Sequence, residues 1–548
     1  MSNPPSRLPG SPSILGSPLL WGLVGWALAL MLAHHAVLLS GLRVTQGDEG
    51  DARFVHYVLE HGFRHLRGDA AHARFWDAPM FHPAANTIAY SDPLQGVLPL
   101  YAVWRAVGMS PDRAFQFWVF TVTSLNFLSA LWLLRRGVGA SAGAAMVGAV
   151  LFAAGASRIN QANHPQLLPQ FYSVLAVGAL LALARPGLSR RAGMGWAALL
   201  VASCVAQLYA GFYWGWFLGF FLALTALVAL GFPDTRAKLF QGLRTHGPAL
   251  LLWGVVGVVA LLPLVQHSLA AAREVGLRSF GEAEGMVPRF ASWFHMGDTN
   301  WLYGWMGRLK PFARIPVEGE HRVGLGVLTL VLAGAGLWHA RQRPMARLLL
   351  GVVLVTVLIA TRYRGGMTPW WLVFHGFPGA SAVRAVCRMG VWLLLPASVG
   401  LALFLSRQAR EGKVWLAALL GSVCLLEQGV SGSTFDVAAA RADVQWVAGQ
   451  VGPGCESFLY SPAGGNEPSW KYQIDAMWAS IERGVPTLNG YSGNVPPGWA
   501  LEPVAPTDAP SAARLDEALR AWAGARGLDV SSLCRIEAPP SHRSVSVQ

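Results

Sequence analysis

The chain has 548 residues, of which 53% are hydrophobic and only 13% are charged, and it contains 23 tryptophans. Soluble globular domains carry about 25% charged residues, so this composition excludes an ordinary soluble globule and predicts a polytopic membrane protein. The formal net charge of +13 partly reflects the gathering of basic residues in cytoplasmic loops, and we do not predict nucleic acid as a partner.

Apolar runs long enough to cross about 30 Å of hydrocarbon recur along the chain. They lie at residues 18–40, 113–134, 138–156, 166–184, 194–210, 213–231, 248–267, 323–339, 345–361, 389–406 and 414–430. These runs predict an all-α polytopic fold with about eleven transmembrane helices. Residues 1–17 are rich in serine, proline and glycine and have no apolar period, so we expect a disordered cytoplasmic lead.

Basic residues in the short loops predict the orientation of the chain. When the spans are counted alternately, nearly all of these loops fall on one side, which is therefore the cytoplasm. The N-terminus then lies inside, and residues 41–112, 268–322 and 362–388 form exoplasmic loops of a membrane domain at 18–430.

The apolar runs stop after residue 430, and residues 431–548 are predicted to form a small exoplasmic α/β domain. Its apolar periods predict helices and strands at 436–451, 456–460, 470–483, 511–526 and 533–537. Cys455 and Cys534 both fall in this domain, and an exoplasmic compartment permits disulfides, so we expect these two to pair.

Three carboxylates, Asp48, Glu49 and Asp51, follow the first apolar run within four residues. Like charges repel and must stay hydrated, so this concentration indicates a chemical centre. Apolar residues at helical spacing predict a helix over 51–66 that lies on the membrane surface with its histidines at the interface. The alternative is that the acids only stabilise the positive end of this helix.

Two more exoplasmic segments hold candidate substrate contacts. Residues 76–93 contain two prolines and several turn formers, which predicts an ordered loop. Residues 157–166 connect two spans and are mostly polar, and such side chains suit sugar hydroxyls, although ordinary loop polarity explains them equally well. The candidates in these segments are Tyr90, Asp92, Arg158, Asn163, His164 and Gln166.

Basic residues also occur on the outer side, where they have no role in topology. His321 and Arg322 directly precede one span, and Arg384 and Arg388 precede another at a spacing of four. We expect this cluster to bind a fixed anion, with lipid headgroups as the alternative. The aromatic residues near 293–305 are predicted to form an interfacial belt, and stacking on a sugar ring or an isoprenoid chain is the alternative.

The motif Asp48-Glu49-Gly50-Asp51, together with the topology over 18–430, resembles the GT-C-type integral membrane glycosyltransferases. Phe81-His82-Pro83, Tyr90-Ser91-Asp92-Pro93-Leu94 and Pro378-Gly379 followed by Arg384 and Arg388 resemble uncharacterised bacterial members of that group. The resemblance implies a polyprenyl-phosphate sugar donor, a catalytic aspartate in the first exoplasmic loop and a location in the bacterial inner membrane. The acidic pair of the family is adjacent or separated by one residue, whereas Asp48 and Asp51 are separated by two. The second acid is therefore Glu49 or Asp51.

These observations lead to one mechanistic hypothesis. Asp48 deprotonates an acceptor hydroxyl, which attacks the anomeric carbon of the donor and inverts it. Asp51 or Glu49 orients the acceptor or, with Asp48, holds a divalent ion such as Mg²⁺ or Mn²⁺. The departing phosphate is stabilised by Arg384, Arg388 and Arg322.

The acceptor class stays open between a glycan, a lipid and a protein, and membrane lipids are expected neighbours. One alternative function is a transporter or flippase of lipid-linked glycans, although the charges lie at the ends of the spans and no internal repeat is visible. The other is a non-catalytic assembly scaffold on the same fold.

Overall fold

The computed structural model describes residues 17–276 and 278–538, so the predicted lead at 1–17 lies outside the described residues except for Ser17. The chain is mainly helical. Its α-helices are α1 (Pro18–Leu39), α2 (Asp51–Leu66), α3 (Leu98–Ala106), α4 (Pro111–Trp132), α5 (Ala142–Ala154), α6 (Ala156–Ile159), α7 (Phe171–Leu183), α8 (Arg190–Ala210), α9 (Phe212–Leu230), α10 (Pro233–Val275), α11 (Phe280–Glu284), α12 (Lys310–Ala313), α13 (Val327–His339), α14 (Pro344–Ile359), α15 (Trp370–Gly376), α16 (Met389–Trp392), α17 (Leu394–Arg410), α18 (Val414–Leu426), α19 (Val437–Gln450), α20 (Ser469–Arg483) and α21 (Ala509–Arg526).

Within the described ranges, eight helical segments are long and apolar enough to cross a membrane. They are centred on α1, α4, α5, α7, α8, α9, α10 and α17. The chain is therefore a multi-pass membrane protein. Three shorter apolar helices, α13, α14 and α18, occupy the other three predicted spans with 13 to 16 residues each, so the count of eleven stays a prediction.

The membrane helices differ in burial. In the segment that ends in α17, 94% of the residues in the apolar window are buried, and in the segment that contains α5 the share is 89%, so these two form the centre of the bundle. In α10 only 11% of those residues are buried. α10 begins fifteen residues before the predicted span at 248–267. The helix continues through Pro248 and Pro263 instead of ending at either proline.

The predicted helix over 51–66 is confirmed, with the same bounds. Its predicted place on the membrane surface is wrong, and so is the interfacial role of its histidines, because α3 and α20 cover the helix and bury His56 and His61. His61 Nε2 contacts the Phe75 carbonyl at 2.8 Å, and the ring of His56 stacks on that of Phe115 with centroids 4.6 Å apart.

Four short strands complete the fold: β1 (Val44–Gln46), β2 (Thr434–Asp436), β3 (Ser457–Tyr460) and β4 (Leu533–Ile536). β1 and β2 pair antiparallel and join the end of the first span to the chain after the last one, and β3 and β4 pair parallel. One hydrophobic core contains α2 and α3 together with residues 444–536. The C-terminal residues therefore pack directly on the loop at 41–112, and the domain boundary at 430/431 stays a prediction.

A disulfide joins Cys455 and Cys534, whose Cα atoms are 5.6 Å apart, as the sequence predicts. Because it closes a loop of 79 residues, we expect Cys455→Ser with Cys534→Ser to lower the free energy of unfolding of this region by about 2–5 kcal/mol. Proteolysis of the C-terminal region under graded denaturant measures the loss, with Cys204→Ser as the control. Equal resistance of the two proteins would contradict the expectation.

Candidate active site

Gly47 brings the acidic stretch against the loop at 157–166. Its N–H donates to the Ser433 carbonyl at 2.9 Å, directly after the pairing of β1 with β2. Its φ of +106° is in the region that favours glycine, and a Cβ atom here would lie 2.6 Å from the Cβ of Ala52 and 3.1 Å from the carbonyl oxygen of Ala162. A glycine is therefore required for the close approach of the two segments.

Asp48 lies three residues before α2 and is half-buried. Its Oδ1 accepts hydrogen bonds from the backbone N–H groups of Gly50 at 3.1 Å and Ala52 at 3.2 Å. Its Oδ2 has no hydrogen-bond partner among the described residues. Burial, with a smaller contribution from the charge of Asp51, raises the pKa of Asp48. The carboxylate is thus held by one oxygen while the other remains available to accept a proton.

Asp51 uses both of its oxygens. The hydroxyl of Tyr491 donates to Oδ1 at 2.5 Å, and Oδ2 forms an ion pair with Nδ1 of His164. Burial by itself would raise the pKa of Asp51, but the hydrogen bonds from His164 and Tyr491 outweigh burial and lower it. Asp51 is therefore a fixed anion at pH 7.

His164 connects Asp51 to two more charged groups. Its Nε2 lies 3.2 Å from Oε1 of Glu320, and Glu320 binds Arg388 through two contacts of 2.8 and 3.0 Å. Burial alone would lower the pKa of His164, but its two carboxylate partners raise it to about 9. We call Asp51, His164, Glu320 and Arg388 the charge chain, because negative and positive groups alternate along it.

The C-terminal residues contact the acidic stretch at two points and the first turn of α2 at a third. Besides the bond from Tyr491 to Asp51, Lys471 pairs with Glu49 at 2.7 Å. Arg53 and Asp475 form a buried ion pair at 2.7 Å. Asp51, rather than Glu49, lies beside His164.

Tyr491→Phe tests whether this contact positions Asp51. The loss of a hydrogen bond to a charged group is worth about 1.5 kcal/mol, so we expect kcat for the hypothesised sugar transfer to fall about tenfold while KM changes little. Tyr460→Phe is the matched control, because Tyr460 is buried in the same region and its hydroxyl has no partner among the described residues. An unchanged kcat in Tyr491→Phe would rule out the positioning role.

Several predicted contact residues have structural partners instead. Arg158 is buried and donates to the carbonyls of Phe152 and Leu168, each at 3.0 Å. His321 is buried with Nδ1 2.9 Å from the Ser292 hydroxyl.

Two candidates in the first loop also bond to the protein. The Tyr90 hydroxyl donates to Glu274 at 2.5 Å, and Asp92 accepts from the backbone N–H of Phe212 at 2.7 Å, at the first residue of α9.

Of two other candidates, Asn163 lies beside the acidic stretch. Asn163 follows Ala162, which contacts Gly47. Gln166 is two residues from His164, and its side-chain oxygen is buried without a partner among the described residues.

The three arginines predicted to bind phosphate differ in their partners. Arg322 pairs with Glu318 at 2.7 Å and with Asp298 at 2.9 Å, and Arg388 is neutralised within the charge chain. Arg384 is exposed and makes no ion pair with any residue that the structure describes. It adjoins Ala385, whose N–H donates to the Tyr213 hydroxyl at 3.2 Å, and the Tyr213 ring lies 4.8 Å from the guanidinium of Arg388.

The predicted divalent ion requires several unpaired ligand atoms that converge on one point. Over residues 17–276 and 278–538, no group of three or more His, Cys, Asp or Glu side chains is arranged to hold a metal. The oxygens of Asp51 and Glu320 are occupied by His164, Tyr491 and Arg388. As arranged, these residues do not fit a divalent ion, and the ion at Asp48 and Asp51 stays a prediction.

No protein-family model and no curated protein matches the chain. Its fold is similar to that of the archaeal oligosaccharyltransferase AglB from Archaeoglobus fulgidus, solved with an inhibitory peptide and a dolichol-phosphate. The TM-score is 0.50 at 13% identity, over 86% of this chain and 64% of that chain. The apo form of that oligosaccharyltransferase gives a TM-score of 0.50 at 12% identity with the same coverage. The arabinofuranosyltransferase AftD from Mycobacteria gives 0.44 at 15% identity, over 82% of this chain and 29% of that chain.

The likeness to AglB shows that this chain shares the fold of that oligosaccharyltransferase, in agreement with the fold that the sequence resemblance implies. The chain spans about 64% of the length of AglB. A closer relation to uncharacterised bacterial members stays a prediction.

Proposed function

We propose that this protein is an inverting glycosyltransferase that moves a sugar from a polyprenyl-phosphate donor to an acceptor on the exoplasmic side of a bacterial inner membrane. The observation that carries the proposal is Asp48, a carboxylate with one oxygen fixed by backbone N–H groups and the other free, on a GT-C-type fold. A free oxygen and a raised pKa are what a general base requires.

In this mechanism Asp48 takes the proton from an acceptor hydroxyl while the hydroxyl oxygen bonds to the anomeric carbon. The bond from that carbon to the phosphate oxygen breaks at the same time, so the anomeric configuration inverts and polyprenyl phosphate leaves. Asp51 stays ionised beside His164 and orients the acceptor. The protonated His164 prevents repulsion between Asp51 and Glu320.

Arg384 is our choice for the departing phosphate, because Arg322 and Arg388 already have carboxylate partners. Negative charge grows on the phosphate in the transition state, so a free guanidinium placed there lowers the barrier. We expect Arg384→Gln to lower kcat/KM by about 10² to 10³. Arg364→Gln is the control, since Arg364 lies twenty residues earlier in the same predicted loop and is also exposed. Equal loss in both variants would contradict the assignment.

The experiment that tests the function uses the purified protein in nanodiscs. Radiolabelled polyprenyl-phosphate sugars are mixed with membrane extract, and the anomeric configuration of the product is determined by NMR. Transfer with inversion supports the proposal. Movement of the donor across the bilayer of proteoliposomes without any sugar transfer would overturn the proposal in favour of the flippase alternative. Transfer with retention of the anomeric configuration would contradict the single-displacement mechanism.

A further inference from the structure

A cavity of about 790 Å³ lies in the exoplasmic loop segment between α11 and α13. Its walls include two indoles, Trp301 and Trp305, that are 50% and 59% exposed. Four polar side chains also line it, namely Asp298, Asn300, Arg308 and Glu318, together with Leu302 and two glycines. Half-exposed indoles in one concave surface indicate a binding site rather than ordinary surface.

The cavity adjoins the candidate active site on two sides. Trp301 Nε1 donates to the Ser431 hydroxyl at 3.3 Å, and Ser433, two residues further, accepts from the N–H of Gly47. This path puts the indole on the order of 15 Å from the acidic stretch. On the other side, Glu318 lines the cavity and belongs to the same helical turn as Glu320 of the charge chain.

The lining favours a neutral polyhydroxylated ligand over lipid. Indole faces stack on apolar ring surfaces, and carboxylates accept hydrogen bonds from hydroxyl groups. Asp298 and Glu318 share Arg322, and Arg308 also lines the cavity, so the charges balance and favour a neutral ligand. A belt that only faces lipid has no use for two carboxylates beside the indoles.

We propose that this cavity binds distal sugar units of a glycan acceptor, so that the acceptor is an oligosaccharide chain rather than a lipid or a protein. This inference rests on the proposed function. Trp305 is the principal contact, because Trp301 is already fixed through Ser431 and Gly429, whereas the Trp305 indole N–H has no hydrogen-bond partner among the described residues.

The test measures binding of end-labelled neutral hexasaccharides by fluorescence anisotropy, with the full chain in nanodiscs and no donor. The panel contains an α-1,4-glucan, an α-1,6-mannan, an α-1,5-arabinan and a β-1,4-linked N-acetylglucosamine chain. We expect saturable binding of at least one hexasaccharide, weakened about tenfold in Trp305→Ala and largely kept in Trp305→Phe. Trp415→Ala is the control. Trp415 is 88% exposed and lies at the N-terminal end of α18, whereas the residues that contact the cavity follow its C-terminal end.

No saturable binding, or equal binding by wild type and Trp305→Ala, would overturn the inference. A Trp305→Ala protein that binds the hexasaccharide normally but is less stable in nanodiscs would assign the indole to lipid, which also overturns it. Because binding needs no donor, hexasaccharide binding without sugar transfer would refute the proposed function and leave the cavity as a glycan site.

Discussion

Replacing Asp48 by asparagine is expected to reduce sugar transfer by about 100- to 10,000-fold, the usual contribution of a general base. Asparagine keeps a side-chain oxygen that can accept from the N–H groups of Gly50 and Ala52, as Asp48 does. The variant therefore retains the fold and loses the ability to accept a proton. The alternative in which the acids only stabilise α2 expects normal transfer, so the rate of purified Asp48→Asn separates the two.

Asp436→Asn is the matched control for this experiment. Asp436 accepts from the backbone N–H of Ala439 at 2.9 Å at the start of α19 and is exposed. The same substitution at a helix start outside the site should leave transfer unchanged. Comparable losses in both variants would mean that helix stability, not proton transfer, limits the activity.

Glu320→Gln is expected to lower the free energy of unfolding by about 3–5 kcal/mol, because it leaves Arg388 without its counter-charge in a site where both side chains are largely buried. His164 loses one of the two partners that raise its pKa, so transfer should fall as well. Thermal unfolding of the detergent-solubilised protein measures the change in stability. Glu284→Gln breaks a more exposed pair with Arg362 and should change stability little.

Glu320 and His164 limit the pH range in which the folded protein is most stable. The pKa of Glu320 is lowered by Arg388 and His164 despite its burial, so its contribution is present above the ordinary value of 4.5 and is lost as the pH falls. The pKa of His164 is raised from 6.5 to about 9, so its contribution is complete below pH 6.5 and is lost as the pH rises to about 9. Glu320→Gln should abolish the part of the acid loss that Glu320 causes and move the alkaline loss to lower pH, because the pKa of His164 is then raised less. An unchanged pH profile would contradict the charge chain.

The elements with strong apolar periods were predictable from sequence. The bounds of α2 match the prediction, and the C-terminal helices and strands lie within about two residues of it, because amphipathic spacing reports directly on a buried face. The burial of α2 was not predictable in the same way. A helix that faces lipid and one that packs against α20 have the same periodicity, and only the tertiary contact distinguishes them.

Sequence reasoning named Asp48, Asp51 and His164 as candidates but did not predict that Asp51 and His164 form an ion pair. Glu320 was missed because it lies in a loop with balanced charge and no motif. Tyr491 lies in a turn-rich segment, and its composition is equally typical of a ligand-binding loop and of a rigid structural turn. Arg158 was selected for its position between two spans, where its buried bonds to backbone carbonyls serve packing.

The most direct test of the central claim compares wild type, Asp48→Asn and Asp436→Asn in nanodiscs with a panel of radiolabelled polyprenyl-phosphate sugars and membrane extract. The account predicts that label enters product with wild type and Asp436→Asn and that the rate with Asp48→Asn is at least about 100-fold lower. Transfer at the wild-type rate by Asp48→Asn would contradict the assignment of Asp48 as the general base. No transfer by wild type from any donor would contradict the proposal that the protein is a glycosyltransferase.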